Sequence, residues 1–426
     1  MAGLEVAAII AVGSELLTPS RRDTNSAWLT SRLNELGVEV RSRTIAPDDL
    51  LDLAAAVRGA LGRVDLLILT GGLGPTADDL TREVVAGVVG RPLVQDDRVL
   101  EGIRERFARR GVEMPAVNLK QALVPAGAVV LPNGAGTAPG LWIEVGAQTL
   151  VLLPGPPREL EPMFEALVAP RIAARTGGRR LRRRVVSVTG LSESQVEQIA
   201  QPIYGPLAGG PQPITTSILA TPGRIELHLS AWGSDVDAID RTLEAAVLEL
   251  GTAIGPAVFS TDDSRLEQVI AAELSRQKLQ LAVAESCTGG LLMGRLTDVP
   301  GSSAWLLGGL VAYDNRIKIE ALGVTDALIA AHGAVSEPVA QAMAAGVRTR
   351  FGADLAVAIT GIAGPTGGTP DKPVGTVVIA IDAAVPVVRT LRFAGTRPIV
   401  RELAVAAALE MLRRSVCPGA RGPAAG

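Results

Sequence analysis

The amino-acid sequence predicts a multidomain α/β protein, and three observations carry that prediction. Continuous apolar runs end in glycine- or proline-rich turns or loops: "VDLLILTGG" (Val64–Gly72), "TLVLLPGPP" (Thr149–Pro157) and "DLAVAIT" (Asp354–Thr360). Runs of this kind suit strands buried on both faces, as in the centre of a parallel sheet. Between them lie stretches with one apolar face at helical spacing, such as "TNSAWLTSRLNELG" (Thr24–Gly37), closed by a glycine. The length, 426 residues, exceeds what one core organises, at roughly 100–200 residues per domain.

Residues 1–170 alternate strand and helix. "LEVAAIIAVG" opens as a strand, helix Thr24–Gly37 follows, and "VEVRSRTI" returns as a strand. "PDDLLDLAAAVRGALG" is a helix with acids in its first turn, where they meet the positive end of the helix dipole. With the runs at 64–72 and 149–157, a doubly wound sheet is expected. Residues 171–255 form a small α+β linking domain. There "GGRRLRRR" (Gly177–Arg184) reads as a basic surface link. "GRIELHLSAW" alternates apolar and polar residues, the sign of a sheet with one open face. His228, on the polar side of that pattern, is expected to be solvated. Residues 256–416 form a third α/β domain: helix "SRLEQVIAAELSRQK", strands "LQLAVAE" and "LLGGLVAYDN", helix "AVSEPVAQAMAAGVRTRFG", the strand at 354–360, strands "VGTVVIAI" and "VVRTLRFAG", and a last helix capped at Thr396. Residues 417–426 are expected to be a disordered tail.

Composition narrows the class. Hydrophobic residues make up 47% and the mean hydropathy is +0.31, which excludes an intrinsically disordered chain. No apolar run is long enough to span a bilayer, and the N-terminus lacks the basic start of a signal peptide. The two cysteines, Cys287 and Cys417, make no disulfide framework, so a cytoplasmic location is expected. A net charge of −3 gives no overall drive toward nucleic acid. Of 41 Lys and Arg residues only four are lysines: Lys120, Lys278, Lys318 and Lys372. Arginine cannot give up its proton and lysine can, so each lysine is a candidate for proton chemistry.

The stretch "AESCTGG" (Ala284–Gly290) sets Ser286, Cys287 and Thr288 side by side at the end of a strand. A serine nucleophile needs a base. His228 and His332 are the only histidines, and both have ordinary structural readings, as a strand position and a helix end. Lys318 is the alternative base, with Tyr313 five residues before it to hold it or relay a proton. It must be buried for its pKa to fall far enough; a solvated helix position is the competing reading. Gly289 and Gly290 open the next helix and offer backbone N–H groups to an oxyanion. A second glycine-rich loop, "TGIAGPTGGTPDKPVG" (Thr360–Gly375), follows another strand and contains Gly361 and Gly364. Arg397 and Arg401, one turn apart on the last helix, can grip a phosphate. In the first domain, Gly71, Gly72 and Gly74 of "TGGLGPTADDL" allow close backbone approach to a ligand. Asp78 and Asp79 follow, either as helix caps or as oxygen ligands for a divalent metal bridging a diphosphate. Glu15, Asp23, Asn25 and Lys120 are further polar candidates.

The motifs "AESCTGGLL", "TDVPGSS", "GGLVAYDNRIK", "HGAVSEPVAQAMAAG", "TGIAGPTGG", "KPVGTV" and "GTRPIVR" resemble, in order, the deamidase domain of the CinA family. The resemblance implies hydrolysis of nicotinamide mononucleotide to nicotinate mononucleotide and ammonia, without a cofactor. It places the active-site Ser, Tyr, Lys and Thr at Ser286, Tyr313, Lys318 and Thr360, with Thr288, Gly289, Gly290, Gly361 and Gly364 around the substrate. Arg397 or Arg401 would serve the substrate. The N-terminal motifs are similar to the family's molybdopterin-binding-like domain, which implies ADP-ribose pyrophosphatase activity with Mg²⁺, Mn²⁺ or Co²⁺. Asp78, Asp79 and Glu15 are the candidate metal ligands, and Gly71, Gly72, Gly74, Asp23, Asn25 and Lys120 the candidate substrate groups. The middle domain resembles a KH module, and a homodimer is implied. The alternative is an N-terminal domain that binds a nucleotide or pterin without turnover, in a binding protein linked to competence or DNA damage.

Overall fold

The structure, a computed structural model, describes residues 3–417, so the tail expected at 417–426 lies outside the described residues except for Cys417. Two compact units are present. One runs to Arg182 and takes in Trp232–Ile239; the other holds Arg183–Ala231 and the chain from Asp240 onward.

The first unit contains β1 (Val6–Val12), β2 (Glu39–Ala46), β3 (Leu66–Thr70), β4 (Leu93–Gln95), β5 (Leu123–Pro125), β6 (Val129–Leu131), β7 (Gly140–Val145) and β8 (Gln148–Leu153). Six of them form one sheet in the order β2-β1-β3-β8-β7-β6, while β4 and β5 pair separately. The first four of that sheet run parallel, and β7 and β6 add antiparallel edges. Side chains alternate along β1: Ala8, Ile10 and Val12 enter one core, Ala7 and Ile9 the other. Both faces are therefore packed, which is why these strands read as unbroken apolar runs.

The small domain forms the sheet β10-β11-β9-β12 from β9 (Arg180–Val188), β10 (Ile214–Thr221), β11 (Arg224–Gly233) and β12 (Val258–Ser260). It corrects two expectations and one boundary. The basic run at 177–184 is not a link: from Arg180 it is the start of β9, with Arg180 and Arg183 exposed, Arg182 and Arg184 half-buried, and Val185 and Val186 buried. His228 is not solvated; it is 7% exposed, with Nε2 against Glu226 Oε2 at 2.9 Å and Arg183 at 3.5 Å. The sheet also extends past 255, because β12 pairs with β9.

The last sheet has the order β14-β13-β15-β16-β17, built from β13 (Leu281–Glu285), β14 (Leu306–Val311), β15 (Leu355–Gly361), β16 (Thr376–Asp382) and β17 (Val387–Arg392). The first three strands are parallel and the last two antiparallel. Its two faces differ in size. Leu281, Val283, Leu355, Val357 and Ile359 face the helices Leu266–Gln277 and Arg397–Val416. Ala282, Ala284, Ala356 and Ala358 face the helix Glu337–Phe351, which the small residues admit closely. A Cβ on Gly346 of that helix would stand 1.9 Å from the Leu322 carbonyl oxygen, so glycine is required there. Among the described residues no helix is long and apolar enough to cross a membrane.

Candidate active sites

The C-terminal site forms where three parallel strands end together. Glu285 of β13 is opposite Val311 of β14 and Ile359 of β15, so Ser286, Ala312 and Thr360 stand at one level. Ser286 N–H donates to Ile359 O (2.9 Å) and Ala312 N–H to Glu285 O (2.7 Å), which fixes that register. Ser286 is 8% exposed and Thr360 1%. Thr360 Oγ1 donates to Ala334 O at 2.9 Å, so its hydroxyl is oriented by the segment before the helix Glu337–Phe351.

Lys318 settles the competition between a solvated and a buried lysine. It lies on the helix Asn315–Leu322, which Asp314 caps by accepting from Arg316 N–H, and it is 2% exposed. Its Nζ donates to Ala312 O (2.9 Å) and Tyr313 O (3.1 Å), at the end of the strand beside Ser286. Burial lowers its pKa, with Asp314 opposing. A neutral amine has two N–H donors and one lone pair. Two carbonyl acceptors take both donors and leave the lone pair as a base.

Tyr313 itself is 60% exposed. Its hydroxyl accepts from Arg397 Nη2 at 2.7 Å, and Arg397 Nη1 donates to Gly364 O at 2.8 Å. One guanidinium thus ties the end of β14 to the second glycine-rich loop. Arg401 donates to Thr288 O at 2.7 Å. Thr288 Oγ1 and Arg401 Nε are buried with no protein partner. Buried polar atoms are rarely left so, which makes these two candidates for ligand contact.

The glycines at 289 and 290 act differently from expectation. Gly290 N–H donates to Glu285 Oε2 (3.0 Å) and Gly289 N–H to Ser286 O (3.1 Å), so neither amide faces a substrate. Both have positive φ, +61° and +96°, which lets the chain reverse from strand to helix. Glu285 is the functional neighbour that the sequence reading missed. It is fully buried and accepts three amides, from Gly290, Leu292 (3.2 Å) and Met293 (2.9 Å), at the N-terminus of the helix Leu291–Thr297. An acid ending an apolar strand just before a helix was the available signal. Cys287 faces the core; burial, with Glu285 nearby, pushes its thiol up to about 11, so it is a poor nucleophile at neutral pH.

The N-terminal site is a cleft of about 340 Å³ at the carboxyl ends of β1, β3 and β8. It brings together Glu15, Gly71, Gly72, Gly74, Asp78 and Asp79, with Asp48 and Glu159 added. A Cβ on Gly71 would lie 2.3 Å from Val12 O, and φ there is +93°, so the turn needs glycine. Asp79 Oδ2 accepts from Thr76 N (2.8 Å) and Oγ1 (2.5 Å), which closes the loop on itself. Three other candidates do not line the cleft. Lys120 Nζ donates to Thr76 O (2.8 Å) and Asp79 O (2.7 Å) and thereby supports the loop from behind. Asp23 caps the helix Asn25–Glu35 through Ser26 N–H (2.9 Å), and Asn25 donates to Gly155 O (2.7 Å). The missed residue is Arg82. It is fully buried and donates to Leu73 O (2.7 Å) and Gly74 O (3.1 Å), holding the glycine loop open; burial lowers its pKa.

Among the described residues no three His, Cys, Asp or Glu side chains are gathered closely enough to hold a metal ion unaided. The donor set still fits a hard divalent cation, because Mg²⁺ commonly takes one or two carboxylates and completes its shell with water and substrate phosphate.

Comparison with known proteins follows the same division. Residues 263–416 match the model of the CinA C-terminal domain, and residues 8–174 that of a probable molybdopterin binding domain. A "putative competence-damage inducible protein" of Desulforudis audaxviator is 46% identical over 89% of this chain and 91% of its own length. One of the same description from Symbiobacterium thermophilum is 44% identical over 96% of this chain and 98% of its own. A "CinA-like protein" of Solibacter usitatus is 43% identical over 96% and 98%.

Proposed function

The chain belongs to the CinA family, and from that premise we propose that it hydrolyses two nucleotides at two sites. The C-terminal site would convert nicotinamide mononucleotide to nicotinate mononucleotide and ammonia. The observation that carries this reading is the buried Lys318, its pKa lowered by burial and its N–H donors occupied, one strand away from Ser286. Neutral Lys318 takes the proton of Ser286 Oγ as that oxygen bonds to the carboxamide carbon. The carbon–nitrogen bond then breaks, and the proton leaves with the nitrogen as ammonia. Water cleaves the resulting ester, releases the carboxylate and restores Ser286. Arg401 and Thr288, with their unpartnered buried atoms, would hold the nucleotide. Two measurements test this: ammonia release by the full chain from nicotinamide mononucleotide in EDTA, and the same assay on Ser286→Ala. The wild type should turn over, and the variant should lose more than about 10³-fold. A variant with full activity overturns the assignment.

The N-terminal cleft would hydrolyse ADP-ribose to AMP and ribose 5-phosphate. Asp78 and Glu15 would hold a divalent metal, with Asp79 shaping the loop beneath it. When bound, the ion supplies positive charge to the diphosphate. A second reading, nucleotide binding without turnover, is favoured by Asp79, whose Oδ2 is taken up by Thr76 of its own loop. AMP formed from ADP-ribose with Mg²⁺, Mn²⁺ or Co²⁺, and lost in Asp78→Asn, supports hydrolysis; binding with no AMP supports the second reading.

A further inference from the structure

A larger groove, of about 720 Å³, adjoins that cleft, between the helix Asp97–Ala108 and the edge strand β6. Its floor is apolar, with Val99, Ile103, Val129 and Pro132 among the lining residues. Three arginines line it: Arg98, Arg106 and Arg109. With Gly102 they fall on one stripe of the helix, where like charges repel. Arg106 donates to Gly134 O (3.1 Å) and Arg109 to Glu105 O (3.4 Å), both main-chain acceptors. Among the described residues no carboxylate forms an ion pair with any of the three; the helix's own pair, Arg104 with Glu101, lies elsewhere on its surface. Asp96 also lines the groove, but its Oδ1 is taken by the amides of Arg98 and Val99.

Gly102 makes the point a second way. Glycine inside a helix lowers its stability, and here packing does not call for it, since an added Cβ would meet nothing within 4 Å. What its missing side chain provides is room in the groove. Groove and cleft share Thr137. The loop beside it touches both, because Asn133 donates to Glu159 of the cleft (2.8 Å) while Arg106 donates to Gly134.

The two concavities divide charge. Carboxylates in the cleft suit a diphosphate that arrives with a metal. Unpaired arginines in the groove suit an anion that carries none. We propose that the groove receives the nucleoside half of the cleft's substrate, and that this half bears its own phosphomonoester, gripped by Arg106 and Arg109, which are neighbours three residues apart. The preferred substrate class is then ADP-ribose with a further phosphate on its adenosine, a refinement that rests on reading the cleft as a nucleotide site.

The test is calorimetric binding, with Mg²⁺ present, of the methylene-bridged diphosphate analogue of ADP-ribose, which cannot be hydrolysed, and of its 2′-phosphorylated form to the full chain. The phosphorylated ligand should bind at least about tenfold tighter. R106Q/R109Q should bring the ratio close to one. Gly102→Leu, which adds a good helix former in open space, should weaken the phosphorylated ligand at least about tenfold through occlusion of the groove. Equal affinities in the wild type, a ratio unchanged in R106Q/R109Q, or no binding of either ligand would overturn the proposal. Hydrolysis is read separately: AMP from ADP-ribose without the binding preference removes the groove assignment and keeps the hydrolase, and the preference without AMP does the reverse.

Discussion

The two sites both stand at the carboxyl ends of parallel strands, yet they handle charge in opposite ways. In the C-terminal site three polar side chains are buried and already oriented: Lys318 on two carbonyls, Glu285 on three amides, Thr360 on Ala334. In the N-terminal cleft the buried charge, Arg82, holds the backbone, while Asp78 is left exposed and Asp79 closes its own loop. The first arrangement suits proton transfer, where a neutral amine must be maintained by desolvation. The second suits a highly charged ligand that brings its own counterion. The difference teaches that one structural position, the end of a parallel strand, supports acid–base or metal-assisted chemistry according to which side chains are kept from water.

The largest effect that would break this contrast comes from Lys318. Lys318→Met should lower deamidation by about 10²–10⁴-fold, the usual range for loss of a general base, and should leave AMP release from ADP-ribose unaffected. The pH profile sharpens it. A base must be unprotonated, and the folded-state pKa of Lys318 lies below its ordinary value. Deamidation should therefore fall as pH drops through that lowered pKa. The stability linkage has the matching sign: between the lowered pKa and the ordinary one the unfolded chain binds more protons, so stability rises with pH across that window. A rate independent of pH on the acid side, in both wild type and Lys318→Arg, would remove Lys318 from the proton path.

An intermediate effect is expected at Arg82. Arg82→Met leaves the Gly74 carbonyl without its donor and the Leu73 carbonyl with only Gln121 Nε2 at 3.4 Å, at a cost of about 1–3 kcal/mol for a buried group left unsatisfied. Thermal unfolding of the full chain should show the N-terminal unit lowered, and AMP release should fall while ammonia release persists. Equal loss of both activities would mean that Arg82 supports the whole chain and not the cleft.

Much of this was legible in the sequence, for identifiable reasons. The central strands of both large sheets are buried on two faces, so β3, β8 and β15 stand out as apolar runs. Scarcity pointed to Lys318 because arginine supplies nearly every other cation. What escaped was charge used internally. Arg82 looks like any helix-surface arginine until the glycine loop folds over it, and the basic start of β9 looks like a link because three consecutive arginines, Arg182 to Arg184, hide the strand period. His228 belongs with these: Glu226 is its same-face neighbour two residues along the strand, but Arg183 reaches it only through sheet pairing. The sequence suggests free amides at Gly289 and Gly290 because it does not show that Glu285 turns back to accept from Gly290 or that Gly289 closes onto the Ser286 carbonyl.

The smallest expected effect discriminates between the two neighbours in "AESCTGG". Cys287 is in the core, and its thiol, pushed up to about 11, carries almost no thiolate at neutral pH. Cys287→Ala should therefore change deamidation by less than about threefold. It should cost about 1 kcal/mol of stability, through one small buried group removed. Gly361 limits the opposite substitution, since a Cβ there would stand 3.0 Å from the Cys287 sulfur, and a larger residue at 287 has no room on that side. If Cys287→Ala instead abolished turnover while Ser286→Ala kept it, the nucleophile would be the sulfur. Burial at this strand end would then be serving thiolate formation, against the direction in which the buried surroundings and the Glu285 carboxylate push it.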